Sequence, residues 1–326
     1  MENILEIKNL SVSIGDKQNG FEVVSDVSIS VPKGKIIGIV GESGCGKTIT
    51  ALSVIKLLPD PPAKITSGEI IFKNRNLLEL SDKQLRLIRG SEISMIFQEP
   101  VSSLNPVFTI GEQIGETIRT HNKINRKEEN DRVIELLKLV GIPDPERRYS
   151  NYPHEMSGGM CQRVMIAMAL CCSPDLLIAD EPTTALDVTV EAGIIELINN
   201  LRNETSMSVI LITHDLGVIS EIADEVYVMY AGRIVENAKN ELLFNNPKHP
   251  YTIGLLNSIP DLSDSKSKDL KMIPGNIPSP QNYPKGCRFN DRCGLVIDKC
   301  KYNVPRLEQV ENKHQSACFR SGEINL

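Results

Sequence analysis

Residues 41–48 read GESGCGKT and match the pattern G-x-x-x-x-G-K-[ST]. The segment before them, KIIGIV at 35–40, is a continuous apolar run of the kind that forms a buried parallel strand. The segment after them, KTITALSVIKLL at 47–58, predicts a helix. A glycine-rich turn between a strand and a helix presents backbone N–H groups and a helix N-terminus to phosphate oxygens. The stretch therefore predicts a phosphate-binding loop in an α/β fold.

Two side chains of this loop have specific expected roles. Lys47 would reach the β- and γ-phosphates of a nucleotide, and Thr48 would ligate Mg²⁺. Cys45 is expected to contribute its backbone rather than its thiol. The other residues expected to contact the nucleotide are Gly41, Glu42, Ser43, Gly44, Gly46 and Ile49.

A pair of carboxylates follows a second apolar strand, LLIADEP at 176–182. Asp180 stands where a carboxylate would hold Mg²⁺, directly or through water. Glu181 follows at the carboxyl end of the strand, where it could orient a water molecule for attack on a phosphate. On its own such a pair can also be a solvated strand end, and the phosphate-binding loop favours the catalytic interpretation.

Strand-like and helix-like segments alternate along the chain, and this alternation predicts an α/β fold with a mostly parallel sheet. Residues 4–40 predict several strands, and 99–160 are helical or irregular with no clear strand, so they resemble an inserted helical subdomain. Further strands are predicted at 176–179, 208–213 and 225–229, and helices at 131–140, 161–172 and 189–202.

The segment MSGGMCQR at 156–163, together with Gln98, TALD at 184–187 and His214, resembles the ATP-binding-cassette (ABC) family. The family's usual signature is L-S-G-G-Q, and Met156 and Met160 replace its first and last residues without changing the Ser-Gly-Gly core. The resemblance implies a RecA-like, mostly parallel core sheet, an N-terminal antiparallel β subdomain and an inserted α-helical subdomain. It places the ATP-binding domain at 1–259 and the helical subdomain at about 99–165.

The resemblance also implies a head-to-tail dimer in which the Ser-Gly-Gly segment of one cassette closes on the ATP held by the other. Gln98 would couple Mg²⁺ and the attacking water to the helical subdomain, and His214 would contact the γ-phosphate. Phe21 is the candidate for stacking on adenine, although it could equally be a core residue. The residues implied at the dimer interface are Ser157, Gly158, Gly159 and Asp187.

Three further segments, at 96–114, 243–256 and 275–280, resemble the ATPases of oligopeptide, dipeptide and nickel importers, in particular their D-type subunit. The implied partners are a different, F-type ATPase, two permease chains and an extracytoplasmic solute-binding protein. Residues 99–120 would receive a helix from the permease. The expected location is the cytoplasmic face of the cell membrane. Peptides are the expected cargo, with nickel or a metal chelate as the alternative.

Composition argues against other classes of protein. The chain has 326 residues and a net charge of −6, which disfavours a nucleic-acid partner. The N-terminus has no signal-peptide pattern, and runs such as VMIAMALCC at 164–172 are about half the length that a spanning helix needs. A soluble cassette of DNA repair or translation, or a non-catalytic regulatory cassette, is therefore a weaker alternative to an importer ATPase.

The C-terminal extension at 260–326 begins with a linker rich in Pro, Ser and charge, over 260–286. Four cysteines follow in the pattern C-x5-C-x6-C-x17-C, without the short spacing common in structural zinc sites. Four thiolates are the ligand set of a 4Fe–4S cluster, and the tails of some D-type ATPases that this extension resembles hold one. Zinc and plain reduced thiols are the alternatives, and the extension is expected to lie apart from the ATP motifs. The cysteines are Cys287, Cys293, Cys300 and Cys318.

Overall fold

The computed structural model describes residues 2–16, 20–183, 188–258 and 272–324. The strands are β1 (Asn3–Ile14), β2 (Phe21–Pro32), β3 (Ile36–Val40), β4 (Ala63–Phe72), β5 (Arg75–Asn76), β6 (Ile93–Ile96), β7 (Leu176–Asp180), β8 (Ser208–Thr213), β9 (Glu225–Tyr230), β10 (Arg233–Lys239), β11 (Glu308–Glu311) and β12 (His314–Ser316). The helices are α1 (Lys47–Val54), α2 (Asp82–Ile88), α3 (Pro100–Ser103), α4 (Ile110–His121), α5 (Arg126–Leu139), α6 (Pro145–Arg148), α7 (Gly158–Leu170), α8 (Val188–Thr205), α9 (Leu216–Ile222), α10 (Asn240–Asn245), α11 (Pro250–Leu256) and α12 (Asp298–Tyr302).

The chain forms two compact units. The helical unit comprises Met1–Glu2 and Glu79–Ile210, and the sheet unit comprises Asn3–Leu78 and Leu211–Leu326. The boundary between the helical unit and the sheet unit at Ile210 and Leu211 falls within β8. The predicted α/β fold with an antiparallel N-terminal sheet is confirmed, whereas the domain boundary at 259 stays a prediction.

The helical unit combines a parallel strand pair, β6 and β7, with α4, α5 and α7, which pack against one another. Helix α4 buries Ile110, Ile114 and Ile118, which share one face of the helix because they recur every four residues. Its capping pattern is visible in the sequence, since a polar residue is followed three positions later by Glu or Gln. The reciprocal capping pairs of α2, α4 and α5 are Ser81 with Gln84, Thr109 with Glu112, and Asn125 with Glu128.

The sheet unit contains an antiparallel sheet in the order β2-β1-β4-β5. Its second set of strands is mixed. β3 pairs in parallel with β9, and all five residues of β3 are buried, as the apolar run 35–40 predicted. β10 pairs antiparallel with β9 and also with β12 of the C-terminal extension, which in turn pairs with β11. The extension therefore adds an antiparallel edge that the sequence did not predict.

A fully buried carboxylate joins the extension to the rest of the sheet unit. Glu236 on β10 is bonded to Nε2 of His314 on β12 at 2.7 Å, and both side chains are 0% exposed. The Glu236 carboxylate also accepts hydrogen bonds from the backbone N–H groups of Lys248 and His249, the latter at 3.0 Å. The Lys248 ammonium donates to the carbonyl of Ile324 near the end of the chain. The extension is thus part of the sheet unit rather than a separate appendage.

Replacing Glu236 is expected to destabilise the sheet unit. Glu236→Ala removes the acceptor for two buried N–H groups and for His314, and a lost buried partner of this kind costs about 3 kcal/mol. Urea unfolding followed by circular dichroism measures this loss. The matched control is Glu323→Ala, which breaks an exposed pair with Arg320 and should cost less than about 1 kcal/mol. Equal effects of the two substitutions would contradict the structural role given to Glu236.

Candidate functional site

The phosphate-binding loop, in the sheet unit, has backbone conformations with positive φ at three of its glycines. Gly41, Gly44 and Gly46 have φ values of 154°, 80° and 109°, which other residues rarely adopt. A Cβ at Gly41 would lie 2.2 Å from the carbonyl oxygen of Met229, so only glycine fits there. Gly46 is the N-cap of α1, and the loop therefore ends at a helix N-terminus, as predicted.

Lys47 lies in the loop, at the first position of α1, and is 5% exposed. Its ammonium donates to the carbonyl oxygens of Gly41 at 2.7 Å and Glu42 at 3.2 Å. Burial raises the pKa of the Cys45 thiol, which disfavours a reactive thiolate there. Thr48 is exposed, so its hydroxyl is accessible to a ligand.

Two predicted catalytic residues meet in the helical unit. Gln98 Nε2 donates a hydrogen bond to Glu181 Oε2 at 2.9 Å. Glu181 directly follows β7, is 9% exposed and has a φ of 46°, a left-handed conformation that is uncommon for a residue with a Cβ. Asp180 ends β7 and is 2% exposed. Residues held in such sparsely populated conformations cluster at functional sites.

The Ser-Gly-Gly segment begins helix α7. Ser157 is the N-cap, and its hydroxyl accepts the N–H of Met160 at 3.3 Å. A Cβ built on Gly158 would meet no atom of the described residues within 4 Å, whereas one on Gly159 would lie 3.2 Å from a methyl group of Val190. Packing against the described part of the chain therefore does not explain a glycine at 158.

Two further predicted site residues, Phe21 and His214, lie in the described part of the chain. Phe21 begins β2 and is half-buried, which fits either of its predicted roles. His214 follows β8 and is exposed, so it is not a buried structural histidine. Asp187, within TALD, lies outside the described residues.

All four cysteines of the extension line one small cavity, together with His249 and Phe289. The sulfurs of Cys293 and Cys318 each accept a backbone N–H from two residues further along, at 3.4 Å. Burial raises the pKa of Cys287 to about 12 and also raises the pKa values of Cys293 and Cys318, so these thiols are protonated at neutral pH.

No metal site is formed in this arrangement. Across residues 2–16, 20–183, 188–258 and 272–324, no group of three or more His, Cys, Asp or Glu side chains is arranged to hold a metal ion. The cavity has a volume of about 10 Å³, roughly that of one water molecule. The described residues therefore do not support the prediction of a 4Fe–4S cluster, although the four cysteines line the same cavity.

Comparison with known proteins decides the family. The family model "ABC transporter" matches residues 24–184, and "Oligopeptide/dipeptide transporter, C-terminal region" matches 235–300. A probable peptide ABC transporter ATP-binding protein of Sinorhizobium fredii is 50% identical over 98% of this chain and 96% of that protein. The chain belongs to the ABC transporter family.

Other similar proteins support the same family assignment. The dipeptide transport ATP-binding protein DppD of Bacillus subtilis is 51% identical over 98% of the chain and 95% of its own length. Among solved structures, a dimeric ATP-binding cassette in a post-hydrolysis state with ADP and phosphate is 27% identical, with a TM-score of 0.65, over 72% of this chain and 98% of that one. Among the described residues, no helix is long and apolar enough to cross a membrane.

The structure adds residues that motif reading missed. Gln162 on α7 is buried and donates to the carbonyl of Pro182, so it ties the helix of the Ser-Gly-Gly segment to the residue after Glu181. The sequence signal was present, since Gln162 belongs to MSGGMCQR. Arg292 and Tyr251, which contact Glu42 of the phosphate-binding loop, had no such signal because they lie more than 200 residues away.

Lys47→Ala is expected to weaken binding of MgATP by at least about tenfold, because it removes the ammonium that is predicted to pair with the phosphates. Equilibrium binding of a fluorescent ATP analogue measures the effect. Lys56→Ala, which removes an ammonium just after α1, is the matched control and should leave the affinity unchanged. Unchanged affinity in Lys47→Ala would refute the assignment of the phosphate-binding loop.

Proposed function

We propose that this chain is the ATP-hydrolysing subunit of an importer that takes up dipeptides or oligopeptides across the cytoplasmic membrane. The observation that carries the proposal is the presence of an ATP-binding motif set and a peptide-transporter C-terminal region in one chain. The relatives are named as peptide, dipeptide and oligopeptide transport proteins, and this favours peptides over nickel as cargo.

In the proposed reaction, the backbone of the phosphate-binding loop and Lys47 hold the phosphates of ATP. Mg²⁺, when bound, would neutralise charge on the β- and γ-phosphates. Its protein ligands would be the hydroxyl of Thr48, the carboxylate of Asp180 and the amide oxygen of Gln98. The donor set fits this hard cation, because all three groups are oxygen ligands and Gln98 uses its nitrogen for Glu181.

Glu181 is proposed to orient the attacking water and accept its proton. Its hydrogen bond with Gln98 restricts the carboxylate, and its left-handed backbone fixes where the side chain leaves β7. A positioned carboxylate loses less freedom on reaching the transition state than a mobile one does. His214 is proposed to contact the γ-phosphate, and Phe21 to stack on adenine.

The Ser-Gly-Gly segment is proposed to close on the ATP held by a second cassette. The open space around Gly158 supports this role, because a glycine there permits close approach by another molecule. Ser157 and the N-terminus of α7 provide donors suited to a phosphate. Asp187 is proposed to lie at the same interface, and the second cassette is proposed to be an F-type ATPase.

An exposed apolar group in the helical unit is proposed to receive the permeases. Phe97, Val107 and Phe108 are 38%, 71% and 46% exposed, and they flank or lie in the segment 99–120 assigned to this contact. Exposed aromatic and aliphatic side chains are typical of protein interfaces. Two permease chains would hold the ATPase at the cytoplasmic face of the membrane, and a solute-binding protein would deliver the peptide.

Glu181→Gln is expected to retain ATP binding and to lower ATP turnover by at least about a hundredfold, because the amide cannot accept the proton from water. Phosphate release by the assembled transporter, and peptide uptake by reconstituted vesicles, measure the effect. Glu135→Gln, which removes an exposed carboxylate of the same unit on α5, is the control and should keep most of the activity. Turnover near the parental rate in Glu181→Gln would refute its catalytic role, and uptake of nickel without peptide would overturn the cargo.

We also propose that the four cysteines of the extension are the ligands of a 4Fe–4S cluster. Support comes from their common cavity and from the N–H···S hydrogen bonds to Cys293 and Cys318, because bonds of this kind stabilise thiolate ligands and tune such clusters. If a cluster binds, Cys287, Cys293, Cys300 and Cys318 would hold its iron as thiolates. The cavity that they line, about 10 Å³, is smaller than such a cluster.

Anaerobic purification is expected to yield brown protein with about four iron and four sulfide per chain. Cys300→Ser should lower the iron content severalfold, whereas Cys172→Ser, a cysteine of the helical unit, should not. Colourless, iron-free protein would overturn the cluster proposal, and stoichiometric zinc in its place would identify a different metal.

A further inference from the structure

One arginine of the C-terminal extension forms an ion pair with the phosphate-binding loop. Arg292 Nη1 lies 2.8 Å from Glu42 Oε2, and Arg292 Nη2 lies 2.9 Å from Glu42 Oε1, which makes the pair bidentate. Arg292 Nε donates to the carbonyl of Pro274 at 2.8 Å, which fixes the guanidinium from its other side. Its side chain is 7% exposed, so water screens this pair less than it screens a surface ion pair.

Aromatic side chains support the same contact. The Tyr251 hydroxyl accepts the backbone N–H of Glu42 at 2.9 Å, and Tyr251 is 0% exposed. Tyr230 and Phe289 pack with Tyr251, their ring centroids lying 4.6 and 5.4 Å from that of Tyr251. Burial opposes the charge on Arg292, but its hydrogen bonds with Glu42 and Tyr230 hold its pKa above the usual value.

The ion pair compensates the negative charge that Glu42 places in the phosphate-binding loop. Glu42 is the second residue of GESGCGKT, so it places a carboxylate in the segment that receives a polyanion. An unpaired carboxylate there would repel the phosphates of ATP. The Glu42 carbonyl is also one of the two that bind the Lys47 ammonium, so a shift of Glu42 would disturb Lys47.

We propose that Arg292 is a positioning residue of the ATP site, which neutralises Glu42 and fixes the start of the phosphate-binding loop from the C-terminal extension. The inference rests on ATP binding by this loop and goes beyond it, because none of the ATP motifs includes a residue of the extension. It gives the extension a direct influence on ATP affinity.

The test measures binding of MgATP to the full-length chain with a fluorescent ATP analogue at several salt concentrations. Arg292→Gln should weaken binding by about fivefold or more at low salt, with a smaller loss at high salt. Glu42→Gln removes the repulsive charge and should bind ATP at least as tightly as the parent. The double variant should recover most of the affinity lost in Arg292→Gln. Arg306→Gln, at an exposed arginine of the same extension, is the control and should not change affinity.

The direction in which each substitution changes ATP affinity separates a positioning role of Arg292 from a purely structural one. If both single substitutions weaken binding and the double variant is no better, the pair only supports the fold and the proposal is overturned. Unchanged affinity in Arg292→Gln also overturns it. If Arg292→Gln does not fold, an affinity lower than the parent's in Glu42→Gln contradicts the proposal. Failure of the parent chain itself to bind ATP would instead refute the assignment of the loop.

Discussion

The buried carboxylate of Glu236 is the interaction on which the organisation of the sheet unit depends. It satisfies two backbone N–H groups that lead into α11 and the imidazole of His314 in the extension. A charge buried this completely is tolerated only with partners of this kind. These bonds hold β12 beside β10 and place the start of α11, and α11 carries Tyr251 to the phosphate-binding loop. A single polar anchor therefore organises contacts that end at the nucleotide motif.

The ATP motifs are divided between the two units of the chain. The sheet unit carries the phosphate-binding loop and His214, and the helical unit carries Gln98, the two carboxylates at the end of β7 and the Ser-Gly-Gly segment. Within the helical unit the groups are linked, since Gln98 bonds to Glu181 and Gln162 to Pro182. Such links offer a physical means by which an event at α7 or near Gln98 would alter Glu181, the carboxylate proposed to activate water.

Features set by local sequence were predictable, and features set by distant contacts were not. The strand, loop and helix at 36–54 follow from an apolar run, positive-φ glycines and a helix start, all within twenty residues. β11 and β12 carry no such signal, because EQVE is polar and mostly exposed and HQS has only three residues. They are strands because β12 pairs with β10 and β11 pairs with β12. The Gln98–Glu181 hydrogen bond joins residues 83 positions apart. Motif order suggested both residues but not their contact.

The bidentate pair between Glu42 and Arg292 has a consequence for how such proteins diversify. On the proposal made above, the arginine 250 residues later compensates the glutamate at the second position of the loop. A change at either position would then be tolerated best when the other changes with it. Tails exchanged between related ATPases would then carry, along with their cysteines, a hidden requirement for the loop that they dock against.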